Sequence, residues 1–216
     1  MNRFDPLPAG MRALPTDERG IPVPWFVDWF SGKPDFRVVD GRRLIEGWNR
    51  DLCWICGKQL FAFRAWIVGP VSMINRCTGE PPAHPECARV ALLNCPFLSN
   101  PHMKRSKAAL PASHSGGGEL VEHNSGLSSA WITRGRGGEL FDPGNGPLFR
   151  IFEPHKVEWF CKGAAATDDE VHAEFECAAQ RLRDIDRRYG PAALQNLESR
   201  IAACSKWLPE RGSGDR

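Results

Sequence analysis

Cys53-Trp-Ile-Cys56 and His84-Pro-Glu-Cys87 are the residues of this chain whose types and spacing could do chemistry, with residues 57–83 between them. Thiolates and a neutral imidazole in two such short pairs can converge on one divalent ion, and Cys₃His is a tetrahedral donor set of Zn²⁺. Gly57 directly after the first pair suits a knuckle, whose tight turn needs a residue without Cβ so that backbone N–H groups can face the thiolates. Pro81-Pro82 leads into the second pair and an apolar helical pattern leaves it. A knuckle on a turn and a second pair at a helix start is how treble-clef and related zinc modules assemble. Zn²⁺ on Cys53, Cys56, His84 and Cys87 is therefore the expected cofactor. Four protein ligands leave no coordination position for a water, so such an ion is structural. Cys77 and His102 are rival fourth ligands. Cys77 precedes His84 by seven residues, a less natural offset than that of Cys87, and His102 stands where the chain leaves the helix.

Other chemistries fit these residues less well. A redox C-x-x-C belongs after a strand at a helix N-terminus, whereas Gly57-Lys58-Gln59 leads here into a strand-like run. The H-x-E then P-C-x-x-C order of zinc deaminases is absent, because here C-x-x-C comes first. A metal-dependent nuclease of the His-Asn-His type is the alternative function, using His84, Asn94 and His102 in that order. It would take His84 away from the structural ion, and no Asp-His opens the motif. Lys104, Arg105 and Lys107 follow the metal helix, and Arg134 and Arg136 mark another loop; such residues can contact nucleic-acid phosphates. With a formal charge of only +2, a solvated surface is the simpler reading of these short basic runs.

The elements that must position these residues follow from periodicity. Residues 1–22 are Pro-rich and irregular. Val23 to Phe30 and Asp35 to Val39 read as strands about the turn Ser31-Gly32-Lys33-Pro34. Asp40 can cap a short helix through Asn49. Phe61 to Val68 is aromatic and β-branched enough for a strand, and His84 to Leu93 reads as a helix that Cys95-Pro96 stops. Residues 99–127, with Ser113-His114-Ser115 and three glycines, are expected as a flexible linker. Ser128 to Arg134, Pro147 to Phe152 and Lys156 to Cys161 then read as strands of a β-hairpin region, with Gly135 to Gly146 as a turn. Thr167-Asp168-Asp169-Glu170 is a capping box. Val171, Phe175, Ala178, Leu182, Ile185 and Tyr189 make one apolar stripe, answered beyond Gly190-Pro191 by Leu194, Leu197, Ile201, Cys204 and Leu208. Two antiparallel helices closing those stripes are expected, more simply as an intramolecular hairpin than as an oligomer seam. Residues 210–216 are expected as a disordered tail.

Composition is ordinary for a globular protein, 42% hydrophobic and 25% charged. No apolar run approaches the roughly 20 residues of a membrane span, and Met1-Asn-Arg-Phe-Asp5 lacks the apolar core of a signal peptide. A cytoplasmic protein without membrane contact is expected, and its five remaining cysteines (Cys77, Cys95, Cys161, Cys177, Cys204) fit free thiols better than a bridged framework. Of these, Cys161, Cys177 and Cys204 read as small buried hydrophobes. His114, His123, His155 and His172 are scattered, with no chemistry expected.

The run Leu52-Cys-Trp-Ile-Cys-Gly-Lys58, with Ile-Val-Gly-Pro at 67–70, Glu-Pro-Pro-Ala-His-Pro-Glu-Cys-Ala at 80–88 and Cys-Pro-Phe-Leu at 95–98, resembles a group of uncharacterised zinc-finger-like proteins of bacteria and their phages or prophages. Pro-Val-Pro-Trp-Phe-Val at 22–27, Lys-Pro-Asp-Phe-Arg at 33–37 and Leu-Phe-Arg-Ile at 148–151 are similar to the same group. The resemblance implies a mobile-element setting and zinc binding, and carries no activity. The sequence thus describes an α+β protein: a zinc-stapled, treble-clef-like module at 23–98, a linker at 99–127, then a β-hairpin and helical hairpin at 128–209. The expected role is that of a binding or adaptor protein for a nucleic acid or another protein.

Overall fold

The structure, a computed structural model, describes residues 6–100, 126–144 and 146–211. Almost all of the expected linker, the tail from 212, and His102, Lys104, Arg105, Lys107, His114 and His123 lie outside the described residues.

The N-terminal half builds a hairpin and a helix around the first cysteine pair. Strands β1 (Val27–Phe30) and β2 (Lys33–Val39) pair antiparallel, turning at Ser31 and Gly32, both in the left-handed region. The segment 23–26 ahead of β1 stays irregular, where a strand was expected from Val23. Its backbone serves other partners: Trp25 donates to the Ile55 carbonyl at 2.7 Å. The Asp40 side chain accepts from the Arg42 and Arg43 amides and starts helix α1 (Gly41–Asn49) as the capping pattern requires. Strand β3 (Phe63–Val68) follows, then helix α2 (Pro70–Asn75), two-residue strand β4 (Cys77–Thr78), helix α3 (Pro85–Asn94) and one turn of helix, α4 (Pro96–Ser99). Neither α2 nor β4 was foreseen, being too short to show a periodicity.

Beyond residue 126 the strands divide between two sheets. β5 (Leu127–Arg134) lies between β3 and β8 (Lys156–Cys161), and two-residue β9 (Ala164–Ala165) completes a sheet ordered β3-β5-β8-β9. β6 (Gly138–Phe141) and β7 (Leu148–Ile151) join β4 in a second, ordered β4-β7-β6. The expected turn at Gly135 to Gly146 therefore contains a strand. Gly138 lies in it because a Cβ there would meet the Arg150 carbonyl and the Trp66 ring at 2.8 Å; here glycine serves close packing.

Helix α5 (Asp168–Asp186) opens with the reciprocal capping box of Thr167 and Glu170, and a single 3₁₀ turn with Gly190 leads into α6 (Pro191–Ser205). Both helices pack on α2, and Arg183 pairs with Glu198 between them at 2.7 Å. Val171, Phe175, Ala178 and Leu182 of the apolar stripe are buried, but Ile185 and Tyr189 are 41% and 75% exposed. The stripe runs past the part of α5 that has something to cover it. Cys177, expected inside, is exposed, whereas Cys161 and Cys204 are buried.

One core draws on both halves of the chain, from Met11 and Trp48 to Ile201 and Cys204. Trp66 and Trp131 face each other across β3 and β5, both fully buried. Their indole N–H groups are satisfied by Thr133 Oγ1 (3.2 Å) and the Phe152 carbonyl (2.8 Å). Burying a ring of roughly 200 Å² at about 25 cal/mol per Å² stabilises by about 5 kcal/mol each. Among the described residues no helix is long and apolar enough to cross a membrane.

Candidate metal centre

The loop 53–57 is closed by its own backbone. Cys53 N–H donates to the Lys58 carbonyl at 2.7 Å and Gly57 N–H to the Cys53 carbonyl at 2.8 Å. Gly57 has φ +70°, and a Cβ there would stand 2.7 Å from Trp25 Cγ, so the expectation of glycine at this knuckle has both a backbone and a packing cause. The second segment is brought to the loop by two sets of main-chain bonds. Trp54 N–H donates to the Pro82 carbonyl at 3.1 Å, and Ala65 and Ala83 exchange both N–H···O bonds at 2.8 Å. Pro81 and Pro82 are buried and rigid, so the chain enters α3 at a set angle. His84 is the N-cap of α3, with Pro85 in the first helical position, and Cys87 falls in the first turn. There the helix N-terminus favours a thiolate.

Cys53, Cys56, His84 and Cys87 converge as a result. All four are buried, and their donor atoms lie within 4.8 Å of one another. His84 Nδ1 stands 3.4 Å from Cys56 Sγ and 3.8 Å from Cys87 Sγ. A tetrahedral ion with Zn–S of about 2.3 Å and Zn–N of about 2.05 Å requires N···S separations of about 3.6 Å, which these two values bracket. His84 Nε2 lies 2.8 Å from the Gln59 carbonyl. A carbonyl can only accept, so Nε2 carries the hydrogen; with a cation among the sulfurs the ring would be neutral and offer its Nδ1 lone pair to that ion, the outer-shell arrangement that orients ligating imidazoles. The amides of Cys56 and His84 approach Cys53 Sγ at 3.5 and 3.3 Å, one from each segment, and suit a sulfur carrying negative charge.

Proximity splits the proton affinities of these groups. Cys56 is driven far below the usual thiol range by hydrogen bonds with Cys53 and then Cys87, while Cys87 is driven far above it by the same neighbours, Cys53 and then Cys56. His84 is pushed up to about 11, by Cys53 first and Cys56 next. Three sulfurs and an imidazole at this spacing cannot all lose their protons unless a cation replaces them. The donor set is soft thiolate with one imidazole, which suits Zn²⁺ and no hard, oxygen-seeking ion.

The other candidates fall elsewhere. Cys77 lies in β4 opposite Arg150, outside the cluster, with its thiol raised by burial. Asn94 donates from its side chain to the Val90 carbonyl at 3.0 Å, one turn back in α3. Of the nuclease set, His84 is thus in the cluster, Asn94 serves its own helix, and His102 lies outside the described residues. Lys104, Arg105 and Lys107 lie outside them too. His155 is exposed against the Phe63 ring, and His172, half-buried, approaches the Pro209 carbonyl at 3.0 Å. Two contributors escaped the sequence reading. Gly10 approaches so closely that a Cβ would be 3.0 Å from Cys56 Sγ, and the Gln59 carbonyl orients His84. Neither carries a sequence signal, since a glycine in a Pro-rich segment and a main-chain oxygen look like any other.

Compared with known proteins, the chain matches no family model, no curated protein and no solved structure.

Proposed function

We propose that Cys53, Cys56, His84 and Cys87 hold one structural Zn²⁺ and that the protein is a zinc-stapled binding or adaptor protein rather than an enzyme. The observation that carries this is the convergence of four buried donors within 4.8 Å of one another, with the outer nitrogen of His84 committed to the Gln59 carbonyl. A shell closed by four protein ligands has no position for a water, so its contribution is to folding: it ties the loop 53–57 to the start of α3. The knuckle, β3 and α3 make a treble-clef-like assembly in this reading, and α5 with α6 an antiparallel helical hairpin. A phage or other mobile-element setting is part of the proposal and rests only on the resemblance of the phrases at 22–27, 33–37, 52–58, 67–70, 80–88, 95–98 and 148–151.

Metal analysis of protein purified without added zinc, run with Cys53→Ser and Cys87→Ser, is the test. One Zn²⁺ per chain is expected, lost in both variants together with cooperative unfolding. Metal-free wild-type protein that unfolds as cooperatively as the loaded form would overturn the assignment.

A further inference from the structure

The face beside the metal centre carries exposed aromatic rings and several cations that make no ion pair among the described residues. Phe61, 73% exposed, lies 5.8 Å from the His84 ring, centroid to centroid. Phe63, two residues on and 41% exposed, has the exposed imidazole of His155 at 5.3 Å. Arg134 is the direct β5 partner of Phe63, and paired residues of neighbouring strands share a face, so its exposed side chain leaves the sheet on the same face as that ring. Gly135 N–H donates to the Ala62 carbonyl at 2.8 Å, which holds the end of β5 against the segment carrying both phenylalanines. On the other side, Phe61 and His84 line a recess of about 850 Å³ together with Arg12, Lys58, Glu86 and Arg89.

Most arginines among the described residues are held by carboxylates, whereas Arg134, Lys58 and Arg12 of this face, like Arg181 and Arg188 elsewhere, are not. Arg37, Arg64, Arg89, Arg183 and Arg200 each hold a carboxylate. Among the described residues Arg134 and Lys58 make no ion pair, and Arg12 reaches only the Leu7 carbonyl. Among the described residues Glu86 is the one carboxylate lining the recess, together with three cations of which Glu158 holds one.

Exposed ring faces flanked by uncommitted cations fit a ligand that is at once flat, apolar on its faces and polyanionic. Nucleobases on a phosphate backbone have that chemistry, and only an unpaired strand offers base faces to a side chain. We propose that Phe61 and Phe63 form a stacking platform for single-stranded nucleic acid, with Arg134 and Lys58 taking its phosphates. This rests on the reading of the protein as a zinc-stapled binding module, because the Phe61 ring lies against the His84 ring and the metal would hold that histidine in place.

Fluorescence anisotropy of the full chain with labelled dT and U oligonucleotides of about 12 nucleotides, and with a duplex of equal length, tests it. Zinc content is measured on every sample. Either single strand should bind more tightly than the duplex, and Phe61→Ala should weaken binding about fivefold or more with zinc content unchanged. That ring is mostly in solvent, so its loss leaves the fold intact. Arg134→Glu and Lys58→Glu should each flatten the slope of log K against log salt by about 0.7. Absence of binding by the zinc-loaded protein, equal affinity for duplex, or full affinity in zinc-loaded Phe61→Ala would overturn the platform. Wild-type protein that binds single strands through Phe61 yet carries no zinc would overturn the metal assignment and leave the platform standing.

Discussion

Replacing Gly57 by alanine tests the knuckle without touching a ligand. Two costs add there. At φ +70° an L-residue is disfavoured by about 1 kcal/mol or somewhat more. The new Cβ would stand 2.7 Å and 2.8 Å from Trp25 Cγ and Cδ1, distances that require something to move. Trp25 has little freedom to yield: its N–H is bonded to the Ile55 carbonyl at 2.7 Å, and Arg43 covers its ring and donates to its carbonyl. Its other edge lies against Gly47, where a Cβ would already stand 3.2 Å away. Forcing an extra methyl into such packing typically costs about 1–3 kcal/mol, so the total is about 2–5 kcal/mol. For a chain of this size that lowers Tm by roughly 5–15 °C. Gly20 is the control, because it has nearly the same conformation (φ +74°) and nothing within 4 Å of a Cβ. Gly20→Ala should cost about 1 kcal/mol, or about 2–4 °C. Differential scanning calorimetry of the two variants isolates the steric part. If Gly57→Ala falls no further than Gly20→Ala, the Trp25 ring is not held against the knuckle and the packing argument fails. Because the strain sits inside the loop 53–57, competition with a chromophoric chelator should also find weaker zinc binding in Gly57→Ala alone.

Three further outcomes are expected. Glu158 is held down at about 2, by the Arg89 guanidinium first and Lys156 after it. A depressed carboxylate stabilises fully above its unfolded value of about 4.3 and loses the contribution as pH falls towards 2. Arg89 is 42% exposed, so solvent screening keeps the amount near 1 kcal/mol, and chemical denaturation at pH 7 and pH 3 should show Glu158→Gln losing less stability on acidification than wild type. Thr167→Ala removes the hydroxyl that accepts from Glu170 N–H at 3.3 Å and should cost about 1 kcal/mol, read as a fall of about 2–4 °C in Tm; an unchanged Tm would mean that the start of α5 is frayed. Iodoacetamide followed by peptide mass spectrometry should mark exposed Cys177 early and Cys204, whose thiol burial pushes up to about 11, only after unfolding. Equal labelling of the two in folded protein would contradict the packing of α6.

Local chemistry was legible in the residues. Two short cysteine and histidine pairs announce a donor set, because ligand spacing within a pair is governed by a few bonds of chain. Asp40 and the Thr167/Glu170 box announce helix starts for the same reason: a cap acts within three residues of itself. The quartet Cys53, Cys56, His84 and Cys87 could therefore be named from spacing, and the structure brings these four side chains together. Their geometry could not be named. Which imidazole nitrogen faces the sulfurs depends on the Gln59 carbonyl, and what closes over Cys56 depends on Gly10, far away in sequence.

Partnership between strands was likewise beyond periodicity. β5, β6, β7 and β8 follow one another along the chain, yet β5 and β8 join β3 while β6 and β7 join β4. A glycine-rich run reads as a turn until the Trp66 ring is seen to need Gly138 beside it. The stripe of α5 continues through Ile185 and Tyr189 in sequence, but α2 is too short to cover it that far. A residue's neighbours within a turn or two are written in the chain beside it. Its neighbours across the core are selected by shape and burial over the whole fold, and only the assembled tertiary structure decides them.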